Sequence, residues 1–406
     1  MSPDLTKNDG DKPRRDGVVY RIMIVDDSAF IRGAITRALE NDPELLITAS
    51  LSNGDQAVKA LRREPVDVIV LDIEMPVMDG LTALPQMKAI DPAVQVIMAS
   101  TLTQKNAEIS LKAMSLGATD YIPKPSTSRE LMGAENFKRE LVDKVKALGA
   151  LARRSGVRAP SESSYAVTGF KSLVPSTARE KILHEPKRDV PAAIRAAPQV
   201  YQDKAVVLRK NPILRPSIIA IGSSTGGPQA LFKVIKDMGT LPQPVVITQH
   251  MPPSFTTILA DHITRQCEVK CKEAQDNDVL EPGHYYIAPG DYHMLIEGCG
   301  ETSAVKLVKD PPENFCRPSV DPMLRSLVGI YGKKTLVIIL TGMGQDGMRG
   351  SDLIVKAGGA VVAQDEASSV VWGMPGAVAV AGLCSAVLPL NEIGGFVRKT
   401  AVGLIT

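Results

Sequence analysis

Short runs of β-branched and aliphatic residues alternate with amphipathic stretches along most of this chain. In its first part the apolar runs are RIMIV (21–25), LLITAS (45–50), VDVIVL (66–71), VQVIMAS (94–100) and the pair Tyr121-Ile122. Apolar positions recur at helical spacing over residues 28–41, 55–63, 81–90, 106–116 and 135–151. Near-continuous apolar strands that alternate with helices are what a parallel sheet covered on both faces requires. Five such pairs predict a doubly wound α/β domain. After a gap in the pattern the rhythm resumes with SIIAIG (217–222), a helix over 228–238, PVVIT (244–248), a helix over 255–265, TLVIILTG (335–342), a helix after Gly347 and AVVAQD (360–365). A second α/β domain with a mainly parallel sheet follows from it, and no internal repeat is evident.

The chain has 406 residues, more than one ordinary core organises, so two domains and a connector are expected. The divisions read as a disordered tail at 1–19, a first domain at 20–151, a flexible basic linker at 152–212 and a second domain at 213–406. Between Arg153 and Asn211 there are 12 Lys and Arg against 5 Asp and Glu, with scattered prolines and serines, which describes a solvated tether, with docking on an acidic partner or membrane surface as the alternative. A net charge of +2 gives no general affinity for nucleic acid. No stretch approaches the roughly 18 uninterrupted apolar residues of a membrane span, so neither membrane insertion nor a cleaved leader is expected. The 5 cysteines form an odd, unpatterned set that suits the reducing cytoplasm.

In open α/β sheets chemistry gathers where loops leave the carboxyl ends of the strands. In the first domain those ends carry Asp26 and Asp27, Asp72, Ser100 and Lys124. Clustered carboxylates repel unless they share a cation, and an oxygen-only set suits Mg²⁺. A metal-held Asp72 can accept a phosphoryl group, with Ser100 and Lys124 binding its oxygens. The plainer alternative, helix capping, accounts for Asp27 alone. VDDS, LDIEMPVMDG, the strand-end Ser100 and YIPKP resemble the receiver domain of two-component response regulators, a flavodoxin-like (βα)5 fold. That resemblance implies phosphorylation at Asp72, Mg²⁺ held by Asp26, Asp27, Asp72 and the backbone oxygen of Glu74, a histidine kinase as phosphodonor, and a peptide bond at Lys124-Pro125 that proline permits to be cis.

The second domain has its own strand-end set. Gly222-Ser223-Ser224-Thr225-Gly226-Gly227-Pro228 is a tight strand-to-helix turn whose N–H groups favour developing negative charge, and a serine there can act as an exposed nucleophile. A dinucleotide loop is the competing reading, but the glycine spacing differs and no acidic residue closes the next strand. That strand ends in Gln249-His250, and an imidazole is the base a serine needs. The strand ending at Thr341 leads to Asp346 on a glycine-rich loop, where it can orient the histidine or cap a helix. The order Ser, His, Asp is not that of α/β-hydrolases.

AIGSSTGGP, ITQHMPPSFT, YIAPGDYHM, RPSVDPML, LTGMGQDG and WGMPGAV resemble the catalytic domain of the chemotaxis protein-glutamate methylesterase (CheB) family, over nearly all of residues 217–406. The resemblance implies Ser224 as nucleophile, His250 as base and Asp346 as orienting acid. It also implies Thr225 lining the site, backbone N–H near Met343 for the oxyanion, no cofactor in this domain, and methyl-accepting chemoreceptors as substrates whose glutamate methyl esters are cleaved and glutamines deamidated, with the receiver packed across the catalytic face until phosphorylated. Two positions depart from the family: Cys316 stands where histidine is frequent, and Gly376 where arginine is. A set of His250, His262, Cys267 and Cys271 matches no zinc spacing. His284 and His293 fall in a hairpin-like Gly/Tyr/Pro region, Arg317 and Asp321 read as a structural pair, and Trp372 as packing. Alternatives to a regulated hydrolase are a scaffold without catalysis and a DNA-binding regulator. Intact Ser224, His250 and Asp346 argue against the first, and an α/β effector without a basic recognition helix argues against the second.

Overall fold

The computed structural model describes residues 18–101, 103–124, 135–154, 205–210, 214–299 and 302–404. Most of the expected tail and linker, and Pro125, lie outside the described residues. Strands β1 (Tyr20–Val25), β2 (Leu45–Leu51), β3 (Val68–Asp72), β4 (Gln95–Ser100) and β5 (Asp120–Pro123) form one sheet in the order β2-β1-β3-β4-β5, every pair parallel. Helices α1 (Ala29–Leu39), α2 (Gly54–Arg63), α3 (Gly80–Ile90), α4 (Gln104–Ser115) and α5 (Glu135–Arg154) alternate with them. The first four begin at a residue whose side chain accepts a backbone N–H two or three positions into the helix: Ser28, Asn53, Asp79 and Thr103. Those caps satisfy donors that the helix itself cannot.

Because β1 lies between β2 and β3, the strand order reverses there, and the loops that follow β1 and β3 emerge side by side. Asp26 and Asp27 sit on the first of those loops, and Asp72 ends β3 where the second begins. The turn after β3 is closed by Gly80, whose N–H donates to Ile73 O at 2.9 Å. A Cβ there would stand 2.1 Å from Asp72 O, so no larger residue fits without moving backbone.

The second sheet has seven parallel strands in the order β14-β13-β12-β6-β7-β9-β8. These are β6 (Ile218–Ser223), β7 (Val245–Gln249), β8 (Lys270–Glu273), β9 (His284–Ile287), β12 (Thr335–Ile339), β13 (Ala360–Gln364) and β14 (Ala386–Leu388), flanked by α6 (Gly227–Met238), α7 (Phe255–Cys267), α8 (Val320–Tyr331), α9 (Met348–Lys356), α10 (Met374–Val380) and α11 (Leu390–Ala401). The stretch from His284 to His293 is not a hairpin. His284 opens β9, parallel to β7 and β8, whereas His293 opens β10 (His293–Glu297), which pairs antiparallel with β11 (Ala304–Val308). With β6 between β12 and β7, the loops bearing Ser224, His250 and Asp346 leave one sheet edge together.

The two sheets' helices meet. Helix α4 packs on α6 and α7. Tyr121 of β5 stacks on Phe255 at the start of α7, with ring centroids 4.6 Å apart, and both rings are buried. Gln229 Nε2 donates to Ala118 O at 2.8 Å, and the Arg139 guanidinium lies 3.6 Å over the Phe315 ring. Arg209 N–H donates to Cys384 O at 2.8 Å, so the described piece of chain before β6 lies against the second sheet's layer.

Gly80→Ala is expected to lower the stability of the first domain by about 1–3 kcal/mol, the range for a side chain forced into filled space. The shift in the urea or thermal midpoint of the full chain measures it, and an unchanged midpoint would mean that the loop before α3 can move aside.

Candidate functional site

Asp26, Asp27 and Asp72 each offer a carboxylate oxygen within 4.8 Å of the others; Asp26 and Asp72 are buried and Asp27 is exposed. Lys124 Nζ stands 2.6 Å from both Asp26 Oδ2 and Asp72 Oδ1 and neutralises part of their charge. Burial, opposed by Lys124 and reinforced by the Asp26 charge, pushes the Asp72 carboxyl up to about 6. Ser100 is buried at the end of β4, its hydroxyl donating to Thr101 O at 3.2 Å, and its carbonyl accepts the Lys124 N–H at 2.7 Å. The Glu74 carboxylate is occupied by Lys105 at 2.8 Å. The donors are all oxygens, two of them buried anions, which fits a hard divalent cation.

At the edge of the second sheet the two serines of the glycine-rich turn are distinct. The Ser223 hydroxyl is buried and donates to Gln249 Oε1 at 2.7 Å, whereas Ser224 is only half-buried. The Ser224 backbone is fixed on three sides: its N–H donates to Thr341 O at 3.0 Å, and its carbonyl accepts from Gly227 N at 2.7 Å and Gln249 Nε2 at 3.0 Å. Gly342 passes so close that a Cβ on it would meet Ser224 Cβ at 2.9 Å. Gly226 then takes a left-handed conformation, φ 73°, to start α6. Thr225 is buried and its hydroxyl oxygen has no hydrogen-bond partner among the described residues; Met343 is half-buried on the neighbouring loop.

His250 is anchored by its own N–H to Ser223 O at 3.1 Å, and its Nε2 lies 2.7 Å from Asp346 Oδ2. No hydrogen bond joins the Ser224 hydroxyl to the ring in this structure, a contact that in substrate-free hydrolases is commonly long. Asp346 is 1% exposed and accepts five N–H groups: His250, Val320 at 2.6 Å, Asp321 at 3.1 Å, Asn314 Nδ2 at 2.8 Å and Gly347 at 2.9 Å. It therefore caps a helix as well as holding the histidine, but the helix is α8, whose Ser319 makes no side-chain cap. Burial opposes its charge, yet the bonds from His250 and the α8 N-terminus hold it down at about 2. Burial likewise opposes the imidazolium, but Cys316 beside the ring and Asp346 hold His250 well above its ordinary value.

Two participants escaped sequence reasoning: Asn314, and the contact of Cys316 with His250. Neither belongs to a strand-end motif; the local signals are an asparagine in a Pro-rich turn, a residue type that tolerates φ 51°, and Cys316 standing where the family often has histidine. Arg317 does not pair with Asp321. Its guanidinium reaches Asp291 Oδ1 at 2.5 Å, while Asp321 joins the Asp346 network. Trp372 packs on the core and donates to Gln364 O at 3.0 Å.

A family model described as CheB methylesterase matches residues 219–397, and one described as response regulator receiver domain matches residues 22–135. The protein-glutamate methylesterase/protein-glutamine glutaminase of group 2 operon of Rhodospirillum centenum is 56% identical over 382 residues, 94% of each chain. The protein-glutamate methylesterase/protein-glutamine glutaminase of Azospirillum brasilense is 56% identical over 95% of this chain and 93% of its own. The solved CheB methylesterase catalytic domain of Thermotoga maritima is 40% identical, covering 45% of this chain and 98% of that one, with a TM-score of 0.44.

The His250 imidazole is expected to titrate well above the ordinary value of about 6.5, and Cys316→Ala to move its midpoint downward. Histidine NMR titration of the full chain measures both, and a midpoint unaltered by Cys316→Ala would remove the thiol from the account of the ring.

Proposed function

This chain belongs to the CheB protein-glutamate methylesterase/protein-glutamine glutaminase family, and we propose that its second domain, residues 213–406, hydrolyses γ-methyl esters of glutamate and deamidates glutamines on methyl-accepting chemoreceptors with Ser224 as nucleophile. The observation that carries this reading is the 2.7 Å contact of His250 with the buried Asp346, at the sheet edge where the half-exposed Ser224 begins a glycine-flanked turn. A serine hydroxyl is barely nucleophilic near neutral pH, so its proton must pass to a positioned base. His250 takes it through the ring nitrogen that faces away from Asp346, and Asp346 stabilises the imidazolium. The ester carbonyl becomes an oxyanion beside the N–H groups of the Met343 loop and the otherwise unpartnered Thr225 hydroxyl, donors already in place as the charge develops. His250 returns the proton to methanol or ammonia as it leaves, and water then cleaves the acyl-serine by the same route in reverse. Because the raised value of His250 keeps the ring protonated to higher pH, the rate climbs with pH through that titration.

The first domain, residues 20–151, is the switch. Asp72 is the phosphoryl acceptor, with Ser100 and Lys124 on the phosphoryl oxygens. Asp26, Asp27, Asp72 and the Glu74 backbone oxygen would hold Mg²⁺, which supplies compensating charge there. A chemotaxis-type histidine kinase is the phosphodonor. A phosphoryl group on Asp72 competes for Lys124, which sits at the end of β5, and β5 carries Tyr121 into its stack on Phe255. Phosphorylation thus favours an arrangement in which the interface over the second site opens, by no more than the difference in stability of the two arrangements. The site is cytoplasmic in this reading: among the described residues no helix is long and apolar enough to cross a membrane, and all five cysteines are unpaired. Nucleic acid has no part in it.

Methanol release from methylated receptor membranes, with and without Mg²⁺ and a small-molecule phosphodonor, tests the reading. Ser224→Ala should lower kcat by roughly 10⁴-fold or more, and Asp72→Ala should abolish the response to phosphodonor while leaving the basal rate. No release from the wild-type chain under any condition would move belief to a scaffold role. Tyr121→Ala should raise the unphosphorylated rate by about 3- to 10-fold, the population equivalent of losing one aromatic stack; an unchanged rate would mean that the interface does not restrain the site.

A further inference from the structure

We propose that Asn314 is a positioning residue of this reaction: its side-chain amide binds Asp346 and Asp321 together and thereby fixes Asp346 in the orientation His250 needs. The proposal rests on the hydrolase reading above and extends it to a residue outside the strand-end motifs. Asn314 Nδ2 donates to Asp346 Oδ1 at 2.8 Å and to Asp321 Oδ2 at 3.1 Å. Both carboxylates are 1% exposed, and the Asp321 N–H itself donates to Asp346 Oδ1 at 3.1 Å. The other Asp321 oxygen takes the Gly350 N–H at 2.7 Å, so Asp321 is fixed from α9 as well. Two buried carboxylates this close repel each other, and burial together with the Asp346 charge pushes Asp321 upward. A primary amide presents two N–H groups on one nitrogen without adding charge, so it can serve both anions at once. Lysine or arginine in its place would compete with the imidazolium for Asp346.

The backbone shows the same demand. Asn314 and Phe315 are both left-handed, at φ 51° and φ 64°, the second unfavourable for a bulky residue. The turn is closed by mutual backbone bonds between Glu313 and Cys316, of 3.2 and 2.8 Å, and by the Glu313 ion pair with Arg325, whose Nη1 lies 2.9 Å from Glu313 Oε2. Strain of this kind persists where surroundings over-determine it and clusters at functional sites. Here its effect is to turn the Asn314 amide inward and to set Cys316 against His250. The same turn carries Phe315 under Arg139 of α5, so the element that holds Asp346 also touches the first domain.

The test uses the full chain activated by phosphodonor on methylated receptor membranes, comparing Asn314→Ala and the isosteric Asn314→Asp. Asn314→Ala should lower kcat by about 10- to 100-fold with KM within about twofold, since a misdirected Asp346 impairs proton transfer and not substrate capture. In Asn314→Asp the new carboxyl faces Asp321 and Arg325 of α8, Asp346 of the β12 loop and His250 of the β7 loop, with Glu313 and Cys316 on its own turn and Arg139 across the domain interface. Ionised, it offers no donor; protonated, it can donate one O–H to a carboxylate. The ratio of Asn314→Asp to Asn314→Ala kcat should therefore rise as pH falls from about 8 to about 6, an effect beyond any shift of the His250 titration that the two variants share. A second readout is independent of turnover: the NMR signal of the His250 Nε2 proton, shifted far downfield by the Asp346 bond, should move upfield in Asn314→Ala. A kcat within twofold of wild type, a loss confined to KM, or an unmoved Nε2 proton would overturn the proposal. Wild-type turnover that Ser224→Ala abolishes is the control: if it is absent, the hydrolase reading fails on its own, and the Nε2 proton still decides whether Asn314 holds Asp346.

Discussion

A carboxylate as fully buried as Asp346 has to be surrounded by donors, since an uncompensated charge in the interior costs several kcal/mol. Meeting that demand organises the second domain. The five N–H groups it accepts come from the loops after β7 and β12, the turn at Asn314 and the first turn of α8. Elements far apart in the chain are thus fixed to one atom pair, and the histidine beside it inherits their rigidity. The N-terminus of α8, left without a side-chain cap of its own, supplies part of the positive field that holds Asp346 at about 2.

Both domains place their chemistry by the same geometric rule. In a parallel sheet the strands all point one way, so every loop at the carboxyl edge faces the same direction and polar side chains there converge without burying polar backbone in the core. In the first sheet the rule assembles three carboxylates and Lys124; in the second it assembles a serine, a histidine and a carboxylate. The electrostatic outcomes are opposite. Asp72, with one ammonium shared between two acids, is pushed up to about 6, while Asp346, with five donors, is held far below its usual range. In the proposed function the first carboxylate takes a cation and a phosphoryl group, and the second keeps a permanent charge that supports an imidazolium.

Two of the ring contacts between the domains lie beside residues of the second site. The stack of Tyr121 on Phe255 begins only five residues after His250, and Arg139 covers Phe315, the neighbour of Asn314 and Cys316. An aromatic stack and a cation over a ring are each worth on the order of 1 kcal/mol. In the proposed switch, contacts of that size are within reach of a charge change at Asp72.

The alternation of apolar runs with amphipathic stretches was enough to assign the α/β class, the five strands of the first sheet, four of the seven strands of the second, and the strand ends where Asp26, Asp72, Ser224, His250 and Asp346 stand, because burial on both faces leaves a mark in each strand's own composition. Short strands such as KCKE in β8, half-exposed at the sheet edge, left no such mark. The pairing of Arg317 with Asp291 in place of Asp321, the thiol against His250 and the amide of Asn314 between two carboxylates join residues separated by 7 to 66 positions and on different elements. Hydrophobic periodicity reports which face of an element is buried; which polar groups then share that interior is decided by how the layers pack, since only there does the cost of an unpaired buried charge select the partner.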